Sequence, residues 1–370
     1  MRTVSERLPA VLTSSVTYRF VADVFYGATR VISDLPIIDP TFKSDLEAGT
    51  KGTGAATVAY TPEFAESLTP YDFADALAPF GAEVGVRCEV SAGKFAEMVQ
   101  IGRYRIADIP TGRDEFTRFR GQVTASGSVV GMVFTDRSKK VERAGFTSPQ
   151  NPRSYVSAWD EIGRISQATL LRSVPDKAIP GGIVYEASKG GRWKAVEDLA
   201  SVLGGVPIFD PFGNLTVVPD AWGSAVARLR LGDEGTILDV EHSLTSENVY
   251  NEVVGNFEDA NQNPIFAYAA ITDGPLAVRG EFGANTYYAA SPLVKTQAAA
   301  NSFVATRLAS LSSQYTYRVP VNCLYDPRLE VGDVVEVERP DRMITGRIIS
   351  LGFGSDGRMK LELEVRRVIA

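Results

Sequence analysis

The stretch EVGVRCEV, Glu83–Val90, alternates without a break. Val84, Val86, Cys88 and Val90 fall on one side, and Glu83, Gly85, Arg87 and Glu89 on the other. A period of two is the mark of a half-buried β-strand. Upstream, VTYRFVADVFY (Val16–Tyr26) repeats it, with Val16, Tyr18, Phe20, Ala22 and Val24 on one face and Thr17, Arg19 and Asp23 on the other. Downstream, SAGK (Ser91–Lys94) offers a turn with a glycine free for positive φ. EMVQIGRYRIADI (Glu97–Ile109) then supplies a return strand. The first third of the chain reads as β.

Near Thr135 the period changes. In SPQNPRSYVSAWDEIGRISQATLL, residues Val156, Trp159, Ile162, Ile165 and Leu170 approach helical spacing, with Ser154 or Ser157 as N-cap. A second helix fits Gly191–Leu203, striped by Trp193, Val196, Leu199, Ala200 and Leu203 and stopped by Gly204-Gly205. VPIFDPFGNLTVVP reads as a hairpin turning at Asp210–Asn214. A further hairpin is expected from NEVVGNF (Asn251–Phe257) and PIFAYAAI (Pro264–Ile271). A helix should follow, capped by Ser291, with Pro292 in its first position and Ala300, Val304, Leu308 and Leu311 on one face. The C-terminal stretch returns to strands. LEVGDVVEV (Leu329–Val337) turns at Gly332-Asp333 into a Val-rich strand, and Asp356-Gly357 precedes MKLELEVRRV, with Met359, Leu361, Leu363 and Val365 on one face.

The two β-rich ends share a weak pattern, a Val-alternating strand, a polar turn and a Gly-Arg-led strand: GRYRI at Gly102–Ile106 and GRIIS at Gly346–Ser350. Two copies of one β-barrel would give it, and so would chance among β proteins.

Composition narrows the function. The 370 residues suffice for two or three domains, and 44% hydrophobic content gives each a core. With 38 basic and 45 acidic residues the formal charge is −7, and the densest basic stretch, RSKKVER (Arg137–Arg143), is short and carries a Glu. That argues against binding through the phosphate backbone, which takes roughly 6–10 cationic contacts. Cys88 and Cys323 lie in apolar alternation, as free buried thiols do. The longest uncharged run, Gly121–Thr135, is short of a membrane span and rich in Gly, Ser and Thr. Glu6 and Arg7 interrupt any signal pattern at the N-terminus, so a protein made in a cytoplasm is expected.

Catalytic constellations are hard to assemble. The single histidine, His242, has Glu241 and Ser243 as neighbours, which a strand would send to the opposite face. A Cys/His zinc site lacks ligands. DANQNP (Asp259–Pro264) starts like a calcium loop but has Pro264 where Gly is needed and Ala270 where Glu is needed. GTKGTG (Gly49–Gly54) leads into a strand, not into the helix of a phosphate-binding loop. Ser91 and Lys94 have only the spacing of a nucleophile motif. Glu330, Asp333, Glu336 and Glu338 could form a carboxylate pair of the glycosidase type in name, but a solvated strand face accounts for them. No catalytic, cofactor-binding or metal residue is therefore assigned, and no enzyme or cofactor is expected. Tyr287-Tyr288 could stack on sugars, though aromatics in β proteins more often fill cores.

The order of segments resembles a known family. LAPFGAEVGVRCEV (Leu77–Val90) with QIGRYRIADI (Gln100–Ile109), VVGMVFTDRSKKVERAGF (Val129–Phe146), AVEDLASVLGGVPIFDPFGNLTVVP (Ala195–Pro219), NVYNEVVGNFED (Asn248–Asp259) and LEVGDVVEV are similar to stretches of bacteriophage tail-tip, or baseplate hub, proteins. The likeness is greatest to minor tail proteins of long-tailed phages (siphoviruses) of actinobacteria. It implies a mainly β fold with an α+β insertion: a tail-tube-like β-barrel hub domain at 1–135, a small mixed α/β domain at 136–224, and a second such barrel at 225–370, discontinuous where a hairpin and helix interrupt it around 258–315.

It also implies a homotrimeric virion protein at the tail tip, forming a pseudo-six-fold ring between a hexameric tube and trimeric tip or fibre parts. Its partners would be itself, the distal tail or tail tube protein, the tape measure protein and tail fibre or spike proteins. No sequence-specific nucleic acid and no stable membrane insertion are expected. DNA would pass through the ring on ejection, for which an acidic pore is suited. The acidic residues of LEVGDVVEV would face solvent or that pore. Because the chain stops at Ala370 after its last strand, the hub alone is expected, without an added lytic or receptor-binding domain. A tail-associated glycan or peptidoglycan hydrolase and a carbohydrate-binding receptor module are the rival readings.

Overall fold

The computed structural model describes residues 1–60, 67–233, 235–241, 249–259, 262–291, 294–312, 316–354 and 356–366. After a short helix α1 (Leu8–Val11) come β1 (Thr17–Tyr26), β2 (Thr29–Asp45), β3 (Gly52–Tyr60), β4 (Ala82–Ala92), β5 (Phe95–Phe119) and β6 (Gln122–Thr135). Their pairings run β1-β4-β5-β6-β3-β2, and β2 pairs again with β1, so six strands form a closed circuit. The alternation of EVGVRCEV fixes the register: Val84 lies opposite Val24, Val86 opposite Ala22 and Cys88 opposite Phe20. The face it shares with Tyr104, Ile106, Val130, Met132 and Phe134 is buried. Phe42, Tyr104 and Phe134 stack there with ring centroids 5.3–6.2 Å apart.

The other face of β4 departs from expectation. Glu83, expected on the polar, outward side, is buried. Arg137 donates to it at 2.6 and 3.1 Å and Arg103 at 2.9 Å. Arg137 also donates to the Gly213 carbonyl at 2.6 Å. The neighbouring Asp136 accepts from the Gly52 N–H at 2.7 Å and from the Ser138 N–H at 2.9 Å. The Asp-Arg pair is thus the latch between the strand circuit and the insertion. That insertion holds α2 (Ser138–Arg143), α3 (Ala158–Ser166), α4 (Gly191–Leu203) and the hairpin β7 (Gly205–Phe209) and β8 (Leu215–Pro219). Of the two candidate caps for α3, Ser157 is the one engaged: its hydroxyl accepts from the Asp160 N–H at 3.0 Å.

Next come β9 (Ala227–Leu229) and β10 (Ile237–Val240). The strands β11 (Glu252–Glu258), β12 (Pro264–Ala270) and β13 (Thr286–Ala289) and the helix α5 (Gln297–Ser312) follow. The chain finishes with β14 (Thr316–Leu324), β15 (Val334–Glu338), β16 (Met343–Phe353) and β17 (Arg358–Arg366). Six of these pair in the order β9-β15-β16-β17-β14-β10, and the Ile237 N–H donates to the Arg230 carbonyl between the two ends at 3.0 Å. β16 also pairs with β2, from Ser350 opposite Asp45 to Phe353 opposite Phe42. The β-rich ends of the sequence are therefore joined in one mainly antiparallel 12-stranded sheet. In LEVGDVVEV, Gly332 turns with φ of 91° and β15 buries Val334, Val335 and Val337.

Contacts divide the chain along other lines than the three sequence segments. One compact unit takes Met1–Ile179, Tyr185–Val240 and Pro320–Leu363, and a second is built on Glu241–Val319. In the second, the three-stranded sheet β12-β11-β13 carries α5 on one face. Val253, Phe257, Ile265 and Ala267 meet Ala300, Val304, Leu308 and Leu311 there, on the helical face expected from the spacing. The helix begins at Gln297 rather than after Ser291. The Thr296 hydroxyl accepts from the Ala299 N–H at 3.2 Å and so provides the cap. Pro292, the expected first residue, lies outside the described residues.

Candidate interaction surfaces

The residues singled out for chemistry are dispersed or engaged in structure. His242 lies outside the described residues. Among the described residues no group of three His, Cys, Asp or Glu side chains could hold a metal ion, and no helix is long and apolar enough to cross a membrane. Cys88 and Cys323 are free and buried, and burial pushes the Cys323 thiol up to about 12. Ser91 lies near the end of β4 and Lys94 in the tight β4–β5 turn. Lys51 of GTKGTG is buried, donating to the Leu46 carbonyl at 2.9 Å. Asp259 shapes the β11–β12 turn by accepting from the Asn263 N–H at 2.8 Å.

The acidic residues of LEVGDVVEV do not converge as a catalytic pair. Glu336 pairs with Arg228 at 3.1 Å, and Glu338 accepts from the Leu231 N–H at 3.2 Å. Asp333 accepts from the Glu330 N–H at 2.9 Å, and its side chain is only 10% exposed, which corrects the expectation of a solvent-facing or pore-facing side chain for that residue, whereas Glu330, Glu336 and Glu338 are half-buried. Arg2 secures the same turn, donating to the carbonyls of Pro327 at 2.7 Å, Leu329 at 2.8 Å and Ile101 at 3.0 Å.

Among the described residues three surfaces are left without an internal partner, and aromatic side chains mark each. The first is a groove of about 390 Å³ beside β5. Tyr71 and Phe73 on its rim are 74% and 72% exposed, and Phe73 packs edge-on against Phe80 with centroids 4.6 Å apart. Asp72 and Asp108 line it, and among the described residues no cationic side chain does. Its wall is held in place by Asp114, whose carboxylate accepts from the hydroxyls of Ser67, Thr69, Ser128 and Tyr71 at 2.7–3.0 Å. Burial raises the Asp114 pKa, but these four donors outweigh it and hold the carboxyl below its usual range. The loop comes close because position 112 is glycine: a Cβ there would lie 2.7 Å from Thr69 Cγ2.

The second surface is the far end of the β5–β6 hairpin. Pairing of β6 with β3 ends at Tyr60 opposite Ser128, whereas β5 and β6 continue together to Phe119 opposite Gln122. Among the described residues no further strand flanks the end of this hairpin, which forms a two-stranded arm. Its register puts Arg118 opposite Val123 and Phe116 opposite Ala125, so these four share one face. Phe116 and Val123 are 64% and 58% exposed, and Arg118 is exposed.

The third is the face of the small sheet opposite α5. Tyr268, Val254 and Tyr288 lie abreast across its three strands, with Phe266 beside Asn256 in the next row. Phe266, Tyr268 and Tyr288 are exposed. The Tyr268 hydroxyl donates to Glu252 at 2.9 Å, and Thr286 donates to the same carboxylate. The expected pair Tyr287-Tyr288 is split between faces: Tyr287 packs against Tyr250 and under Arg307. The signal in the sequence is therefore Phe266-x-Tyr268 on one strand with Tyr288 on another, not two adjacent tyrosines.

No protein-family model and no curated protein matches the chain. Solved structures do. A tail protein from Neisseria meningitidis MC58 superposes with a TM-score of 0.63 at 13% identity, covering 93% of this chain and 96% of that one. The 43 kDa tail protein of prophage MuSo2 from Shewanella oneidensis gives 0.60 at 12% identity, over 94% and 98%. Prophage tail protein gp18 from Listeria monocytogenes EGD-e gives 0.51 at 10% identity, over 94% of each. At these identities the likeness is one of architecture, and over nearly its whole length the chain has the fold of phage and prophage tail proteins.

Proposed function

We propose that this chain is a structural hub of a phage tail tip. Three copies form a ring, each giving two six-stranded barrels, so that six barrels meet a hexameric tail tube on one side and trimeric tip or fibre components on the other. DNA passes through the ring on ejection. One observation carries the reading: two sets of six paired strands, β1 to β6 and β9-β15-β16-β17-β14-β10, joined edge to edge through β2 and β16 in a fold shared with tail proteins end to end. The neighbours in the particle would be the distal tail or tube protein, the tape measure protein and the fibres or spikes. The chain acts by assembly and not by catalysis. The test is a reconstruction of an assembled tail. Three copies at the tip with superposable barrels are expected; a hexameric or single copy there defeats the reading. Incubation with purified peptidoglycan and a polysaccharide panel should give no turnover. Turnover abolished by replacing one carboxylate would replace the scaffold role with a hydrolase.

The exposed row Tyr268, Val254 and Tyr288 favours a second reading, a surface that stacks on sugar rings. Retention of the protein on immobilised cell-wall polysaccharide, lost on Tyr268→Ala with Tyr288→Ala, would support it. Equal retention of the double variant would remove it.

A further inference from the structure

We propose that the arm of one copy seats in the aromatic groove of the next, so that Phe116, Arg118 and Val123 are covered by Tyr71, Phe73 and Phe80 of the adjoining copy. This deepens the ring reading and rests on it. The two surfaces are complementary. The arm face offers two apolar side chains and a guanidinium; the groove offers aromatic walls and the carboxylates of Asp72 and Asp108. Arg118 can lie over an aromatic face and between carboxylates in the same pose. A groove of about 390 Å³ is within the range that holds one inserted group of this kind.

The occupant must come from another molecule. Gly112 lines the groove and lies two residues before Asp114, where the arm begins. A strand rises about 3.3 Å per residue, so Phe116 and Arg118 are carried about 13 and 20 Å away from Gly112. The β5–β6 pairing, continuous to Phe119 opposite Gln122, prevents the arm from folding back on its own root. Each copy therefore has one donor and one acceptor at different places, the arrangement of a head-to-tail contact, which closes into a ring when its rotation permits. Asp114 gives the contact its rigidity, since it ties the groove wall to the base of the arm.

The test uses the full chain with Val123→Cys and Pro79→Cys together. Mild oxidation with diamide should join arm to groove between molecules, giving disulfide-linked species that neither single variant forms in that linkage, with the bond mapped by peptide mass spectrometry. Adding Arg118→Asp should lower the yield about tenfold, and Asp72→Arg on that background should restore it. No disulfide between the two introduced thiols at the highest attainable concentration, or one unaffected by the charge changes, overturns the inference. Sedimentation of the wild-type chain separates the two claims. A trimer that persists with Arg118→Asp means the ring closes by another surface, so the inference fails and the ring reading stands. A copy number other than three in the assembled tail removes the ring reading whatever the cross-link shows.

Discussion

The root and the arm of the β5–β6 hairpin are made from the same two strands and obey opposite rules. At the root, Val99, Ile101, Tyr104 and Ile106 of β5 and Val130, Met132 and Phe134 of β6 are buried, with β4 on one side and β3 on the other. Past Asp114 and Ser128 the ladder continues but, among the described residues, its neighbours do not, and apolar side chains at Phe116 and Val123 stand in solvent. Hydrogen bonding alone keeps a strand a strand; burial decides whether it stabilises the fold or waits for a partner. An isolated two-stranded ribbon is marginal in water. The arm persists because its base is clamped by Asp114 and the adjoining sheet.

Substitutions at the two ends should separate these roles. The largest effect belongs to the root. Phe134→Ala would empty a fully buried site stacked against Phe42 and Tyr104, costing about 3–5 kcal/mol in urea unfolding. Glu83→Gln comes next, at about 3 kcal/mol, because it leaves Arg103 and Arg137 without their buried counter-charge. Its pH dependence is diagnostic. Burial raises the Glu83 pKa, but the hydrogen bonds and charges of Arg137 and Arg103 outweigh it, and the net shift is downward. The stabilisation is present above the unfolded value, about 4.3, and fades as pH falls through the folded one. The gap between wild type and Glu83→Gln should therefore close in acid; a constant gap would mean that Glu83 acts through packing alone.

Asp114→Asn, at the boundary, should cost about 1 kcal/mol by weakening charge-assisted bonds. It should also speed amide exchange across 67–72 without touching the root. Smallest is Phe116→Ser, expected within about 0.5 kcal/mol of wild type in monomer stability. A loss comparable to that of Phe134→Ala would show that the arm is packed internally and would erase the contrast.

Local pattern is legible wherever local physics decides. Gly191–Leu203 is helical over the full expected span because an apolar stripe ends at Gly204, and Ser157 caps α3 as its hydroxyl allows. The alternating face of β17 is equally plain, with Met359, Leu361, Leu363 and Val365 buried. What escapes depends on distant partners. The burial of Glu83 follows from arginines at 103 and 137, which strand alternation cannot foresee. The pairing of β2 with β16 leaves no trace in either strand alone. The arm escapes because beyond Asp108 the alternation has no core to report. The groove has a signal, since PYDFADALAPF (Pro70–Phe80) concentrates aromatics between prolines with neither strand nor helix period. The cap of α5 misleads because Ser291-Pro292 has the chemistry of a start, while Thr296 has its geometry.

The join between β2 and β16 also sets a timetable. At the elongation rates of protein synthesis, the partner of Phe42–Asp45 leaves the ribosome on the order of tens of seconds after that segment does. β1 pairs with β2 only as far as Ile37, and β3 occupies the other side of Phe42–Asp45, so the edge that β16 will cover stands open throughout. An open edge invites pairing between nascent chains on one message. Lys43 and Asp45, bridged at 2.9 Å, put charge on that stretch during the wait. A chain cut short before Met343 would keep the exposed edge permanently, and such truncated products are expected to collect in the insoluble fraction.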